Sequence, residues 1–328
     1  MKVLVTGRLP DEILALLGKE HDLELNREDR PMEREKILEK VRDKEGLLCM
    51  ITDTVDRTLL QRAPRLKMIA NMGVGYDNID LNAASSHGIP VSNTPGVLTE
   101  ATADLAFSLI LAVARRIVEG DRRTRMGEFR FWAPLHFLGR EVSGKTLGIV
   151  GLGRIGKAVA RRAKGFDMKV LYHNRKPLDE KEERALGVEY RTFRELFSQA
   201  DFISLHVPLS EKTRHLVNRE ALGWMRPDAY LINTSRGAVV DEGALVEFLK
   251  ERRIGGAGLD VYENEPRLTP GLAELDNVVL LPHLGSATLE TRTRMARLAA
   301  ENLLAGLRGE RPPNCLNWEE LGRAKSRA

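Results

Sequence analysis

Cysteine is scarce in this chain, with only Cys49 and Cys315 among 328 residues. Two thiols cannot build a disulfide framework, and their spacing suits no metal site, so we expect a reducing compartment and no bound metal. Long apolar runs are also absent: the longest apolar helical segment, residues 105–114, is too short to span a bilayer. The apolar run at the N-terminus is too short for a signal peptide. These absences predict a soluble, cytoplasmic protein with no membrane partner.

A strong excess of one charge is missing too, because 51 basic residues are nearly balanced by 47 acidic ones. The two signs are interspersed along the chain, which argues against a nucleic-acid partner. With 42% apolar and 30% charged residues and no low-complexity tract, the composition is that of a globular protein. The length suits two ordinary domains, each with a substantial core.

What is present is an alternation of short apolar strands and helices along most of the chain. The predicted strands cover residues 2–6, 46–52, 66–71, 90–93, 146–150, 169–172, 201–207, 229–233, 256–260 and 277–281. Such an alternation is typical of parallel, doubly wound sheets with helices on both faces. The sequence therefore predicts an α/β protein with two doubly wound parallel-sheet domains.

Two long helical patterns set the predicted domain boundaries. Residues 99–118 form one predicted helix between the two sets of strands, and residues 288–307 form another after the last strand. We expect the second helix to return to the first set. The prediction is a discontinuous domain of residues 1–99 plus 287–328, and a second domain of residues 100–286.

Residues 119–142 follow the first of these helices and are rich in arginine and aromatic residues. The segment is too apolar for a free loop, so it is predicted to be an arm buried against another surface. That surface is either a second subunit or another part of the same chain.

The clearest motif is Gly151-x-Gly153-x-x-Gly156, placed between a predicted strand and a predicted helix. In such a turn one glycine makes the bend, one lets the backbone approach a pyrophosphate, and one lets helix and strand pack closely. The N–H groups of the helix then face the phosphates. A merely glycine-rich turn is the alternative, but the strand–helix context favours a dinucleotide site.

Asn174 lies at the end of the second strand of this strand–helix–strand unit, where an NAD site carries an acidic residue for the ribose hydroxyl. Here Asn174 is followed by Arg175 and Lys176, which can bind a 2′-phosphate without repulsion from a carboxylate. A solvated turn before Pro177 is the alternative. We predict that NADP(H) is preferred and that NAD(H) is used more weakly.

A loop near residue 73 is a candidate small-anion site. Gly73 and Gly75 lie just beyond a predicted strand, and bare backbone N–H groups in such a loop can hold a carboxylate. A tight turn that needs positive φ explains the two glycines equally well.

Three chemically active side chains follow three consecutive strands of the second set: Arg236, Glu265 and His283. Open α/β sheets bind ligands at the carboxyl ends of their strands, so these residues are predicted to share an active site. His206 also lies at a strand end, where it either approaches the cofactor or packs as a structural histidine.

Together these motifs carry a family resemblance. The stretches GLGRIG, NTSRGAVVDE, GLDVYENEP and LPHLGSATLETR occur in the order and spacing of the D-isomer-specific 2-hydroxyacid dehydrogenases. Further similarity runs from NMGVGYDNIDL through TPGVLTEATADLAFSLIL to ENLLAGLRGE, which covers nearly the whole chain. The chain resembles most the glyoxylate and hydroxypyruvate reductase branch of that family.

The resemblance implies a flavodoxin-like substrate domain and a Rossmann coenzyme domain with a cleft between them. It implies NADPH-dependent reduction of a small 2-keto acid such as glyoxylate or hydroxypyruvate. Arg236 would bind the substrate carboxylate, His283 would be the proton donor, and Glu265 would orient the imidazole. Val74 and Gly75 would add backbone donors for the carboxylate. The two domains would close on the substrate to exclude water.

The resemblance also assigns a cofactor site and a partner. The implied cofactor-binding residues are Gly151, Gly153, Arg154, Ile155, Gly156, Lys157, Asn174, Arg175, Lys176, Thr102, Thr234, Ser235, Arg236, Asp260, His283 and Gly285. The arm that contains Trp132 would meet a second subunit in a homodimer.

The sequence is also compatible with several related activities. Within the family, the rivals are dehydrogenases for D-lactate, phosphoglycerate, formate or phosphite. Outside catalysis, a dinucleotide-sensing corepressor shares the architecture and even these side chains. The sequence does not decide between glyoxylate and hydroxypyruvate as the main substrate.

Overall fold

Two separate parallel sheets organise the chain in the computed structural model, which describes residues 1–325. Residues cluster into unit 1, which comprises Met1–Leu98 and the segment from Thr288 onward, and unit 2, which comprises Thr99–Ala287.

Unit 1 begins with alternating strands and helices. Its strands are β1 (Lys2–Val5), β2 (Asp22–Leu25), β3 (Gly46–Met50), β4 (Met68–Met72) and β5 (Val91–Ser92), and its first helices are α1 (Asp11–Gly18), α2 (Arg34–Lys40), α3 (Arg57–Arg62) and α4 (Leu81–Ser86). All the strand pairs are parallel, in the order β2-β1-β3-β4-β5. This is the flavodoxin-like order, as predicted. The central strands β1, β3 and β4 are almost wholly buried and apolar, which explains their unbroken hydrophobic sequence.

Unit 2 contains the larger sheet. Its elements are α5 (Thr99–Ala114), α6 (Ile117–Arg125), β6 (Thr146–Val150), α7 (Arg154–Lys164), β7 (Lys169–His173), α8 (Glu180–Leu186), β8 (Val188–Tyr190), α9 (Phe193–Gln199), β9 (Phe202–Leu205), α10 (Arg219–Gly223), β10 (Tyr230–Asn233), α11 (Glu242–Lys250), β11 (Gly256–Leu259) and β12 (Val278–Leu280). The seven parallel strands take the order β12-β11-β10-β9-β6-β7-β8. Strand order reverses between β6 and β9, and a doubly wound sheet binds its ligands beside such a reversal. The predicted α/β class with two doubly wound parallel sheets is confirmed.

Polar side chains start many of the helices in this fold. In the described chain, seven helices follow a residue whose side chain accepts a hydrogen bond from the third residue after it: Asp56, Asp80, Asp179, Thr192, Asn218, Asp241 and Thr288. Each such cap satisfies one of the N–H groups that the first turn leaves without a partner.

The last two helices are α12 (Leu289–Leu307) and α13 (Trp318–Lys325). Helix α12 packs on β4, where a Cβ on Gly306 would lie 2.4 Å from the sulfur of Met68. The terminal segment from Gly322 onward, GRAKSRA, is predicted to be disordered. Helix α13 nevertheless continues through Lys325, and residues 326–328 lie outside the described residues. None of the helices in residues 1–325 combines the length and the apolarity needed to cross a bilayer.

The prediction of one helix over residues 99–118 is wrong. Helix α5 ends at Ala114, and Arg116 adopts a left-handed backbone with φ of 53°, so the chain turns before α6 begins. The guanidinium of Arg116 bonds both carboxylate oxygens of Glu119 at 2.9 Å and lies 4.1 Å from the ring centre of Phe137. These contacts hold the turn, and no periodicity in the sequence announces it.

The arm predicted over residues 119–142 begins as helix α6 and continues as irregular chain. Three of its aromatic side chains, Phe129, Phe131 and Trp132, are 71%, 60% and 80% exposed. The alternative that the arm is buried against another part of the same chain is therefore wrong for these three side chains.

Candidate active site

The turn between β6 and α7 has room for only glycine at two of its three motif positions. Gly151 has φ of +94°, and a Cβ there would lie 2.8 Å from the carbonyl oxygen of His206. A Cβ on Gly156 would lie 2.4 Å from the carbonyl oxygen of Gly151. At Gly153 no heavy atom lies within 4 Å of the Cβ position, so the backbone is open to a ligand. The three positions thus match the bend, the packing contact and the open approach.

The start of α7 is suited to an anion. No side chain caps the helix at Gly153, and its first turn contains no acidic residue. The N–H groups of the first turn and the helix dipole therefore favour a phosphate at this end. Arg154 is exposed and Ile155 half-buried beside it, whereas the ammonium of Lys157 pairs with Glu182.

Asn174 lies directly after β7, and its Oδ1 accepts a hydrogen bond of 2.8 Å from the N–H of Leu152. The amide thereby joins the end of β7 to the glycine-rich turn without adding a negative charge. Arg175 and Lys176 are exposed, and neither forms an ion pair with another residue in the described part of the chain. Their positive charges are therefore not neutralised by the protein.

The segment after β10 is held by the buried side chain of Asn233. Its Nδ2 donates to the carbonyl of Arg236 at 2.9 Å, and its Oδ1 accepts from the N–H and hydroxyl of Ser235 at 3.0 and 2.8 Å. The hydroxyl of Thr234 is buried and has no hydrogen-bond partner among the described residues. This hydroxyl is therefore available to form a hydrogen bond with a bound ligand.

The loops after β10 and β11 approach each other at Gly237. A Cβ on Gly237 would lie 1.8 Å from the carbonyl carbon of Tyr262, a distance that no other residue type allows. This approach brings Arg236 near the loop that carries Glu265, and the positive charge of Arg236 contributes to lowering the pKa of Glu265.

Glu265 and His283 form a hydrogen-bonded pair, with 2.9 Å between Oε2 and Nδ1. The other oxygen of Glu265 accepts from the N–H of Tyr262, also at 2.9 Å. Burial raises the pKa of Glu265, but the bond and charge of His283, the Tyr262 N–H and Arg236 together lower it overall. Because Nδ1 is occupied by a carboxylate that is charged at neutral pH, Nε2 of His283 is the nitrogen left for a ligand.

The buried side chain of Asp260 holds the loop that carries His283. The Asp260 carboxylate accepts from the N–H groups of Leu284 and Gly285 at 2.6 and 2.8 Å, and burial raises its pKa. Thr102 of α5 donates to the carbonyl of Gly285 at 3.0 Å. His283 itself has φ of 57°, an uncommon conformation for histidine that these bonds maintain.

The candidate carboxylate loop follows β4 in unit 1. Neither Gly73 nor Gly75 has positive φ, so the alternative of a tight turn that needs this conformation is wrong. Gly73 is required for packing instead, because a Cβ there would lie 2.2 Å from a methyl carbon of Ile51. Val74 and Gly75 are half-buried.

His206 lies directly after β9 and is half-buried. Its Nε2 lies 2.8 Å from the hydroxyl of Ser204, and burial lowers the pKa of His206 to about 4. A neutral, bonded ring agrees with the structural alternative for this residue. Its backbone carbonyl also lies against Gly151.

The strand ends of unit 2 thus bring together most of the predicted site residues, whereas Val74 and Gly75 belong to unit 1. Sequence reasoning missed the residues that hold them, above all Asn233 and Tyr262. The side chains of residues 1–322 contain no group of three or more His, Cys, Asp or Glu placed to bind a metal.

Comparison with known proteins covers both units. A sequence profile described as the NAD-binding domain of D-isomer specific 2-hydroxyacid dehydrogenases matches residues 107–285. The glyoxylate reductase of Thermococcus litoralis is 53% identical over 324 residues, which is 98% of this chain and 98% of that protein.

Solved structures of related proteins also superpose on nearly the whole chain. A protein of Thermus thermophilus superposes with a TM-score of 0.90 at 47% identity, over 96% of this chain and 100% of that one. The NADPH-dependent glyoxylate/hydroxypyruvate reductase of Sinorhizobium meliloti, in complex with NADP and malonate, superposes with a TM-score of 0.86 at 34% identity, over 96% of each chain.

Proposed function

Because the chain belongs to the D-isomer-specific 2-hydroxyacid dehydrogenase family, in its glyoxylate reductase branch, and is an NAD(P)-dependent oxidoreductase, we propose that it reduces small 2-keto acids with NADPH as the preferred cofactor. Glyoxylate and hydroxypyruvate are the proposed substrates. The observation that carries the proposal is the bonded pair of Glu265 and His283 near Arg236. This set combines a proton donor with a cation for a carboxylate.

His283 is the proposed general acid. Reduction of a carbonyl requires a proton at its oxygen, and Nε2 of a protonated His283 can supply it. Glu265 accepts from Nδ1 at 2.9 Å, which fixes the ring and stabilises the positive charge that the acid must carry. The Tyr262 N–H holds the carboxylate in turn.

Arg236 is the proposed partner of the substrate carboxylate. Its planar guanidinium can donate two parallel hydrogen bonds, which orients a small keto acid as well as binding it. Val74 and Gly75 of unit 1 are proposed to add backbone donors for the same carboxylate.

The residues of unit 2 fit a nicotinamide dinucleotide, which supplies the hydride when bound. The open position at Gly153, the uncapped start of α7 and the unpartnered hydroxyl of Thr234 all suit such a ligand. We propose that the glycine-rich turn holds the pyrophosphate and that Arg175 and Lys176 hold a 2′-phosphate. The remaining proposed contacts are Thr102, Arg154, Ile155, Lys157, Asn174, Ser235, Asp260 and Gly285.

We also propose a homodimer in which residues 126–138 meet a second copy of the chain. Met126, Phe129, Phe131, Trp132, Leu135 and Leu138 are each more than half exposed. So many exposed apolar side chains in one segment are unusual for a surface that stays in water. The cytoplasmic location remains a prediction.

A spectrophotometric panel tests the proposed activity. Oxidation of NADPH and of NADH would be followed by the loss of absorbance of the reduced nicotinamide, with glyoxylate, hydroxypyruvate and pyruvate as substrates. We expect the highest kcat/KM with NADPH and either glyoxylate or hydroxypyruvate. Equal or better use of NADH would refute the cofactor preference, and a clear preference for pyruvate would refute the substrate assignment.

A further inference from the structure

Two buried asparagines in unit 1 hold consecutive carbonyl groups of the loop after β4. Nδ2 of Asn93 donates to the carbonyl of Val74 at 2.8 Å, and Nδ2 of Asn71 donates to the carbonyl of Gly75, also at 2.8 Å. Asn71 is 1% exposed and Asn93 is 7% exposed. Both carbonyls therefore point toward the interior of the unit.

The orientation of the carbonyls fixes that of the following N–H groups. In a planar trans peptide, the carbonyl of one residue and the N–H of the next point in opposite directions. The peptides of this loop are trans, because Glu265–Pro266 is the only cis bond in the described chain. The N–H groups of Gly75 and Tyr76 are thus directed away from the two asparagines. Neither N–H donates to another residue within residues 1–325, and nor does that of Val74, whose preceding carbonyl at Gly73 accepts from the N–H of Thr94 at 2.9 Å.

A further asparagine sets which end of the Asn71 amide faces the loop. Nδ2 of Asn78 lies 3.4 Å from Oδ1 of Asn71, and the same nitrogen donates to the carbonyls of Met50 and Asp53 at 3.2 and 2.9 Å. Since Asn78 presents a donor, the oxygen of Asn71 faces Asn78 and its NH₂ group faces Gly75. The direction of the Gly75 carbonyl is therefore determined by side chains and not by chance.

We propose that Asn71 and Asn93 are positioning residues that fix the loop after β4 so that the unpartnered N–H groups of Val74 and Gly75 face the carboxylate of the keto-acid substrate. Adjacent backbone N–H groups without protein partners can together bind an anion. The inference rests on the proposed function, and it deepens it by naming what makes this loop a carboxylate receptor.

The test replaces the donor amide by an isosteric acceptor, in Asn71→Asp and Asn93→Asp. Each carboxylate would face a carbonyl oxygen, so the peptide unit would lose its support and turn. We expect KM for glyoxylate and the KI of oxamate, a carboxylate analogue, to rise roughly 10- to 100-fold, the range for a hydrogen bond to a charged group. KM for NADPH should stay near that of the unaltered enzyme.

The matched control is Asn277→Asp. Asn277 directly precedes β12 in unit 2, and its Nδ2 donates to the backbone carbonyl of Leu249 at 3.2 Å. It should lower the melting temperature without raising KM for glyoxylate. If Asn71→Asp does not fold, Asn71→Ser removes the bond without adding a charge, and the same rise in KM and KI is expected.

Two outcomes overturn the inference in distinguishable ways. If the unaltered enzyme reduces 2-keto acids, but the Asn71 and Asn93 variants keep its KM and KI, the asparagines are merely structural and the inference alone fails. If the unaltered enzyme reduces no 2-keto acid, the proposed function and the inference fail together.

Discussion

At the scale of single residues, the bond between Glu265 and Nδ1 of His283 decides which ring nitrogen is left for chemistry. Replacing His283 by alanine removes the proposed proton donor and leaves the glycine-rich turn intact. We expect kcat for glyoxylate reduction to fall by about 10²-fold or more, the usual size of general acid catalysis. NADPH binding, followed by fluorescence titration, should remain within a few-fold of the unaltered value.

The control for that variant is His87→Ala. His87 lies at the end of α4, where its ring contacts the carbonyl of Ala83 at 2.8 Å and has no proposed part in the reaction. It should keep kcat. Near-normal turnover of His283→Ala would remove His283 from the mechanism.

The lowered pKa of Glu265 also predicts how the stability of the protein depends on pH. A carboxyl whose pKa is lower in the folded state stabilises the fold above its ordinary pKa, and this contribution is lost as pH falls through the lowered value. Glu265→Gln should therefore have a lower melting temperature than the unaltered protein at pH 7. The difference should shrink toward zero in acid, where both proteins carry a neutral side chain.

Glu211→Gln is the control for this comparison. Glu211 is exposed and forms no ion pair within the described chain, so the melting temperature should be nearly unchanged at either pH. A melting-temperature difference for Glu265→Gln that stays constant from neutral pH into acid would contradict a stabilising role of the charged Glu265 carboxylate.

The positions of the reactive side chains could be read from the sequence, whereas their supports could not. Arg236, Glu265 and His283 each follow a strand of the larger sheet, and strand ends are visible as apolar runs that stop. The support from Asn233 depends on a side chain turning back toward its own loop. A polar residue at a strand end has no unique partner in the sequence, so its partner is known only from the folded structure.

At the scale of elements, the contact between two loops at Gly237 is the tightest in the site. Gly237→Ala would push a methyl group into the carbonyl carbon of Tyr262, 1.8 Å from the Cβ position. We expect the free energy of unfolding to fall by about 1–3 kcal/mol, as for other overpacked sites. Because the loops carry Arg236 and Glu265, kcat/KM should also fall.

Gly223→Ala provides the comparison. No heavy atom lies within 4 Å of the Cβ position of Gly223, which ends α10, so alanine should be neutral or slightly stabilising there. Urea unfolding of both variants measures the difference. Equal stability of the two would show that the loops can move apart freely.

The end of β7 carries the proposed discrimination between cofactors. In the double variant Arg175→Ser with Lys176→Ser, two unneutralised cations are lost, while Asn174 still holds the turn through Leu152. We expect KM for NADPH to rise at least about 10-fold, because charged hydrogen bonds to a phosphate are lost. KM for NADH should change little, and an equal rise for both cofactors would argue against a 2′-phosphate contact.

Central elements were predictable from sequence, and peripheral ones were not. The buried strands of both sheets are apolar runs bounded by turn residues, which is why their positions were predicted to within a few residues. Strand β2 (DLEL) has only four residues and β8 only three, and both lie at a sheet edge, so their sequence patterns are too short to identify a strand. The break at Arg116 depends on contacts with Glu119 and Phe137, which periodicity cannot reveal.

At the scale of the whole molecule, we expect the exposed apolar side chains of residues 126–138 to be buried in contact with another protein surface. The segment is irregular and carries six large apolar side chains that are each more than half exposed. A second copy of the chain is the occupant we propose, because an isologous contact buries the same surface on both subunits at once. The unaltered protein should therefore sediment as a dimer.

Changing Trp132 and Leu135 together to serine tests this assembly. These two side chains are 80% and 84% exposed, so their loss should leave the folding of each subunit nearly unchanged. Burial of such side chains contributes about 1.5–3 kcal/mol each. We therefore expect the dissociation constant of the dimer, measured by analytical ultracentrifugation, to rise at least about 100-fold. Leu289→Ser is the control, because Leu289 is equally exposed, at 81%, but starts helix α12 in unit 1. A monomeric unaltered protein, or a double variant that dimerises as before, would exclude this segment as the subunit contact.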